Sequence, residues 1–497
     1  MEFNSSSFIA FWIILSLGYI TLGNIRSNTF QILKKWLLLS ASVFFISSIT
    51  GYGIIILLFG GLFDFYLGLK IGNFSNESKK KWVMRISILW NVCLILFCNH
   101  ITDWFTLNDL NTAHHLPIIF RVIGVSFFAF RSMSYVMDVY YENLDEPERN
   151  VLNYLNYVLF FPLYLSGPIQ EYETYQSSIN SATSNIKTEN IGRAAFLISL
   201  GIIKKYILGN YLALNFVNRV FESSEFFSSL ELFIASIGQT FTLYLDFSGY
   251  TDIVVGLALI LGFEISENFN FPFLAQNVTE YWKRWHITLS QWFNKYVYFP
   301  LSYYLRSWKK WGTSISVFIV FLISGFWHGT HPNFWLWGIM HALCMVWDVF
   351  TSNIRSTWKK HIPAWIYKPI SIFLTFGFLT YSGIFFKAKD IQHGQSIVKK
   401  ILDGIEWELF LDWLDLYPWI ATILLGLIII QFTFSSFYNS ILKFYEKTPV
   451  MLLALQLLIV IFIAYQFDKI GSLPFYYCNF KFSSMLKKSH TIHELML

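Results

Sequence analysis

The side chains of this chain that are able to do chemistry are few, and several stand in apolar surroundings. Asp246 and Asp252 lie in the run Leu243-Tyr244-Leu245-Asp246-Phe247-Ser248-Gly249-Tyr250-Thr251-Asp252. His286 follows Tyr281-Trp282-Lys283-Arg284-Trp285, His328 follows Ser324-Gly325-Phe326-Trp327, and His341 sits in Gly338-Ile339-Met340-His341-Ala342. An ionisable group in the middle of a bilayer costs about 3 kcal/mol or more, so each marks a functional candidate. Neutral imidazole is a competent base near neutral pH. His328 closes a charge-free run from Ile315 to Trp327, and Gly329 after it allows backbone or substrate to come close. The competing reading is a histidine that caps carbonyls at a helix end. His286 likewise reads either as a catalytic or binding group or as a structural one. Asp246 and Asp252 are six residues apart, about 240° around a helix, and so do not share a face. Carboxylates offset in this way make a poor acid–base pair; the alternative is a buried network of Asp246 with Ser248, Tyr250 and Thr251. The three histidines show neither an i,i+4 pair nor His-x-x-Glu-His spacing, so no metal is expected.

The elements that must position these groups are set by composition. Of 497 residues, 55% are apolar and only 13% charged, against about 25% charged in soluble domains. Aromatic residues reach 20%, as suits belts at membrane interfaces. A soluble enzyme, a disordered chain and a secreted disulfide scaffold are thereby excluded, and an all-α polytopic membrane protein is expected. The net charge of +5 is too weak and scattered to be a nucleic-acid footprint. Cys93, Cys98 and Cys344 fall in apolar runs and read as small buried hydrophobes. Candidate spans lie near 8–23, 36–50, 52–71, 84–101, 117–138, 151–167, 192–217, 231–262, 313–329, 333–350, 366–386, 415–435 and 448–467. Some of these are re-entrant or interfacial, which leaves about 11 to 13 membrane helices. The first run is a retained span rather than a cleaved signal, because the chain opens on Met1-Glu2-Phe3-Asn4 without a basic start. The pairs Lys34-Lys35, Lys204-Lys205, Lys309-Lys310 and Lys359-Lys360, with Lys79-Lys80-Lys81, read as cytoplasmic loops. That places the N-terminus and the loop 102–116 outside. The polar gaps 170–191 and 387–413 read as loops, and one integral domain over 1–497 is the simplest organisation. Gly249 and Gly256 would let neighbouring helices approach closely. The stretch from Tyr281 to Leu301 carries an aromatic stripe and four basic residues, so it reads as an amphipathic helix at the interface or along a cavity.

Taken in order along the chain, the motifs resemble the membrane-bound O-acyltransferase (MBOAT) superfamily, and within it the branch of the bacterial alginate O-acetyltransferase membrane subunits. The resemblance rests on Gly124-Val125-Ser126-Phe127-Phe128 through Tyr140, Phe161-Pro162 and Ser166-Gly167-Pro168-Ile169. It continues through LYLDFSGYTDIVVGLALILGF, ENFNFPF, EYWKRWHITLSQWFNKYVYFPL, Phe326-Trp327-His328-Gly329 and Trp337-Gly338-Ile339-Met340-His341. Its core motifs cover 117–345; helices follow over 366–480 and end in Pro474-Phe475-Tyr476-Tyr477-Cys478-Asn479-Phe480, which is similar to the family's closing aromatic motif.

The resemblance implies a ring of tilted helices around a thinned centre crossed by a funnel, in the bacterial cytoplasmic (inner) membrane. It implies that His328 is the catalytic histidine and His286 the second polar site residue. Trp327, Ser290, Asn294, Asp246, Tyr250 and His341 are then the supporting or substrate-binding candidates. Ser290 and Asn294, one and two turns after His286, are candidates to orient it; the sequence does not identify the oxyanion donors, for which His286 and the Trp327 N–H are candidates only. No bound cofactor is expected. An acyl thioester such as acetyl-CoA would be the donor, and a polysaccharide or a periplasmic hand-off protein the acceptor. Departures are Arg131, where alginate-type members usually carry an uncharged residue or Glu and D-alanyl-transferring ones often Arg, the segment Phe97-Cys98-Asn99-His100, and Ser302-Tyr303-Tyr304 in place of a Gly-Gly turn. D-alanyl transfer toward teichoic acid from a carrier protein is the second enzymatic reading. A transporter or flippase of an acylated carrier is the reading from another class.

Overall fold

The computed structural model describes residues 5–23, 25, 27–101, 122–181 and 188–468. Their regular structure is helical, and the one pairing outside helices is an isolated antiparallel bridge, Phe269 to Trp285. Nine stretches among the described residues are long and apolar enough to cross a membrane. One of them, Asn28–Asn73, is 46 residues long and bends at Gly51–Gly53 into the helices Asn28–Thr50 and Ile54–Asn73. The chain is a multi-pass membrane protein.

The count falls below the 11 to 13 expected because the runs near 36–50 and 52–71 form one bent stretch and three further apolar runs do not form, among the described residues, helices of that length and hydropathy. The run near 151–167 is a short helix, Val151–Val158, and a 3-10 turn, Phe161–Leu163. The run near 192–217 is interrupted by two π segments, Ile203–Gly209 and Ala213–Val217. The described part of the run near 117–138 is Val125–Tyr140, in which every residue from Val125 to Val139 is buried within protein. Such segments are apolar because other helices surround them, not because lipid does. The loop 102–116 and the motif 474–480 lie outside the described residues. The gaps 170–191 and 387–413 hold helices, Tyr172–Ser181 and Ile391–Leu402 among them, whose polar faces had disguised them as loops.

Polar groups tie the buried layers together. Asp64 accepts from Ser87 Oγ at 2.6 Å, Asn91 Nδ2 at 2.7 Å and Ser132 Oγ at 2.6 Å, linking three helices. The helix Ser229–Ile260 starts on a reciprocal cap, with the Glu231 amide donating to Ser228 Oγ and the Ser228 amide to Glu231 Oε2. It is the most enclosed of the long helices and packs along Thr188–Ile202 through Gly249 and Gly256. A methyl at Gly249 would stand 2.8 Å from the Gly201 carbonyl, and one at Gly256 2.9 Å from that of Ala194.

That close packing resolves the two aspartates. Asp252 pairs with Lys204 at 2.7 Å, and Asp246 with Lys205, the latter two side chains both buried. Lys204-Lys205 is therefore no cytoplasmic loop: the expectation from basic clustering fails because the pair lies in the π segment Ile203–Gly209, each ammonium neutralised by a carboxylate. Asp246 is paired across the contact between Ser229–Ile260 and the segment Ile203–Gly209, and it does not line the cavity described next.

Candidate active site

The helix Lys310–His328 and its return, Pro332–His361, cross at two glycines. A methyl on Gly325 would stand 2.7 Å from the Phe334 carbonyl, and one on Gly338 2.7 Å from that of Phe321. Only hydrogen fits there, so the backbones touch and His328, last residue of its helix, is pressed against the return helix. Its imidazole is caged by Trp337 and Phe386, edge-on at 5.1 and 5.2 Å between centroids, and by Trp327 at 4.7 Å. Three helices thus hold one ring in place.

His286 is positioned by a different device. The expected continuous helix from Tyr281 breaks after Val278–Trp282 and resumes at Ile287–Phe293. Between them His286 has φ 43°, in the left-handed region that costs a non-glycine residue about 1–3 kcal/mol. The strain is held by pairing with the preceding segment: the Asn270 amide donates to Arg284 O at 2.9 Å and the Ile287 amide to Asn268 O at 3.0 Å. The side chain is buried, stacked on Phe127 at 6.2 Å and against the edge of Phe247 at 4.8 Å.

His286, His328 and His341 line one cavity of about 50 Å³. Trp282, Trp285, Trp337 and Tyr281 supply aromatic walls, and Gln239 and Ser382 supply polar ones. No Asp or Glu is among the lining residues described. His341 accepts from Trp282 Nε1 at 3.3 Å through Nδ1 and lies 3.2 Å from Ser382 Oγ through Nε2. The Gln239 amide oxygen is buried and has no hydrogen-bond partner among the described residues.

Other sequence candidates fall elsewhere. Trp327 touches His328 from behind, packed on Phe130 at 5.6 Å, and does not line the cavity. Tyr250 is buried outside it. Ser290 and Asn294 make no side-chain bond to His286, and Asn294 is exposed. The helical spacing that suggested them does not apply, because His286 precedes the helix in a left-handed turn. Asn268 and Thr288 take that place: Asn268 Oδ1 lies 3.2 Å from His286 Nδ1 and accepts from the Thr288 amide at 3.1 Å. Arg131 is wholly buried, its Nε donating to Phe127 O at 3.3 Å and Nη1 to Tyr157 O at 3.1 Å. Asn268 and Gln239 escaped sequence reading because uncharged amides in loops and apolar helices carry no spacing signal.

A base-bearing chamber inside a helical membrane protein, walled by aromatics and free of acid residues, suits transfer of a small neutral group. The family model for "MBOAT, membrane-bound O-acyltransferase family" matches residues 60–387. The chain belongs to that family and is an acyltransferase of the membrane. It is similar to a peptidoglycan O-acetyltransferase of Helicobacter pylori, 29% identical over 433 residues, which are 81% of this chain and 80% of the relative. A probable alginate O-acetylase of Pseudomonas aeruginosa is 27% identical over 82% of this chain and 76% of its own length. A teichoic acid D-alanyltransferase of Bacillus subtilis is 28% identical over 56% of this chain and 72% of its own.

Proposed function

We propose that the protein O-acetylates a polysaccharide at the cell surface, drawing the acyl group from a cytoplasmic thioester across the bacterial inner membrane. The observation that carries this is the chamber. His286, His328 and His341 all face it, its walls are otherwise largely aromatic and apolar, and Gln239 and Ser382 are among its few polar groups. No lining carboxylate is available to pair with the ammonium of a D-alanyl group, and the acetyl-transferring relatives match more of the chain than the D-alanyl-transferring one. Acetyl-CoA or another acyl thioester is the donor in this reading, and the acceptor is the glycan itself or a periplasmic hand-off protein.

His328 carries the chemistry. Its imidazole nitrogen takes the hydroxyl proton as the oxygen bonds to the acyl carbon, giving a tetrahedral oxyanion. Collapse breaks the carbon–sulfur bond, and the departing thiolate recovers the proton from His328. The caged ring needs little reorganisation at that step, which is where preorganisation lowers a barrier.

The test is mass spectrometry of surface glycans from cells carrying wild-type protein or His328→Ala, with membrane insertion of both checked. Loss of acetyl groups in the mutant, at normal insertion, is expected. Retained acetylation would remove His328 from the reaction and favour a transporter.

A further inference from the structure

The two histidines do not meet the substrate in the same way, and the hydrogen positions around His286 follow from its neighbours. The Thr288 backbone amide can only donate, and it points at one side-chain atom of Asn268 from 3.1 Å. That atom must be the amide oxygen, since an NH₂ there would face another donor. The Thr288 hydroxyl, which receives the Ile169 amide at 2.9 Å, donates to the same oxygen at 2.9 Å. His286 Nδ1 lies 3.2 Å from it too. A nitrogen facing a carbonyl oxygen must bear the hydrogen. A neutral imidazole has one N–H, so Nε2 carries the lone pair.

We propose that Asn268 is a positioning residue that fixes His286 in the Nδ1–H tautomer, so that Nε2 meets the substrate as a hydrogen-bond acceptor for a hydroxyl of the acceptor. The proposal rests on the acyltransferase reading given above. It removes His286 from the candidate oxyanion donors, because a neutral Nδ1–H ring has no hydrogen to give there. The ring is kept from turning by Phe127 and Phe247, and its backbone by the pairing of 268–270 with 284–287. An amide orients the ring without placing a second charge in a chamber that has no acid residue on its walls.

Two readouts on the full chain in membranes test this. Solid-state ¹⁵N spectra of histidine-labelled protein, with His286→Gln to assign the signal, report the tautomer directly. Nδ1–H is expected in wild type and in Asn268→Asp, and its loss in Asn268→Leu. Glycan acetylation in cells should fall on the order of a hundredfold in Asn268→Leu, the scale of a displaced acid–base group, and stay within about threefold in Asn268→Asp. An Nε2–H signal in wild type, full activity in Asn268→Leu, or an Asn268→Asp variant as inactive as Asn268→Leu would overturn the proposal. A wild-type Nδ1–H signal without any glycan acylation would instead refute the function proposed above and leave the tautomer assignment standing.

Discussion

His341 shows how far single hydrogen bonds define a role. The Trp282 indole only donates, so Nδ1 of His341 accepts; Nε2–H then donates to Ser382 Oγ, whose hydroxyl donates to Leu379 O at 3.1 Å. Both ring nitrogens are engaged in holding a cavity wall, which suits a supporting residue. His341→Ala leaves the Trp282 N–H without its acceptor, and about 1–3 kcal/mol of stability should be lost, read as a lower unfolding temperature in detergent. The pair Lys205–Asp246 gives a sharper prediction. Removing one partner, as in Asp246→Leu, strands a buried ammonium and should cost about 3–5 kcal/mol. Lys205→Met with Asp246→Leu removes both charges and should recover most of it. A double variant as unstable as the single one would mean that Asp246 does something other than neutralise Lys205.

At the scale of elements, the site depends on a crossing and a break. Gly338→Val would drive a branched side chain into the Phe321 carbonyl. The two helices would separate and Trp337 would leave His328, so acetylation should fall at least as steeply as folded yield. Retained activity would show that the crossing does not position the ring. Most of the long spans were legible in the sequence, because lipid-facing helices are apolar all round: Lys310–His328, Ala364–Lys387 and Val450–Asp468 fall within a few residues of the runs at 313–329, 366–386 and 448–467. Buried polar helices were not, since Val125–Tyr140 has the same composition as a span and a different environment. His328 stood out as an imidazole closing a charge-free run, and His286 through the motif that carries the family resemblance. The π segments and the left-handed His286 could not be read, because they arise from tertiary pairing with residues such as Asn268 that periodicity does not record.

Across the whole molecule, charged and aromatic contacts join segments far apart in sequence. Lys80 meets Glu142 at 3.5 Å, Lys295 meets Asp138 at 3.0 Å, and Trp311 meets Phe350 edge-on at 5.0 Å between centroids. The end of the helix Ala364–Lys387 is tied to the start of Pro332–His361, where Asn333, five residues after His328, donates to Ala388 O at 2.9 Å. Nearby, the Lys389 amide donates to His393 Nδ1 at 3.2 Å, and His393 Nε2 lies 3.1 Å from Ser224 Oγ. Burial, then the neighbouring Lys389 charge, holds this imidazole below its usual range. Its folded form therefore binds fewer protons than the unfolded one. The stability it contributes is present above the unfolded value near ~6.5 and is lost as pH falls below it. Protection factors of the amides over 388–402, taken relative to the intrinsic exchange rate at each pH, should fall on acidification from about pH 7.5 to about pH 5, and His393→Gln should flatten that response. The account as a whole is tested most directly by purified protein in sealed vesicles, with isotopically labelled acetyl-CoA supplied on one side of the membrane and surface glycan on the other. It predicts ester-linked label on the glycan with wild-type protein and none with His328→Ala. Label that stays on the donor side with wild-type protein, or crosses equally well with His328→Ala, would contradict it.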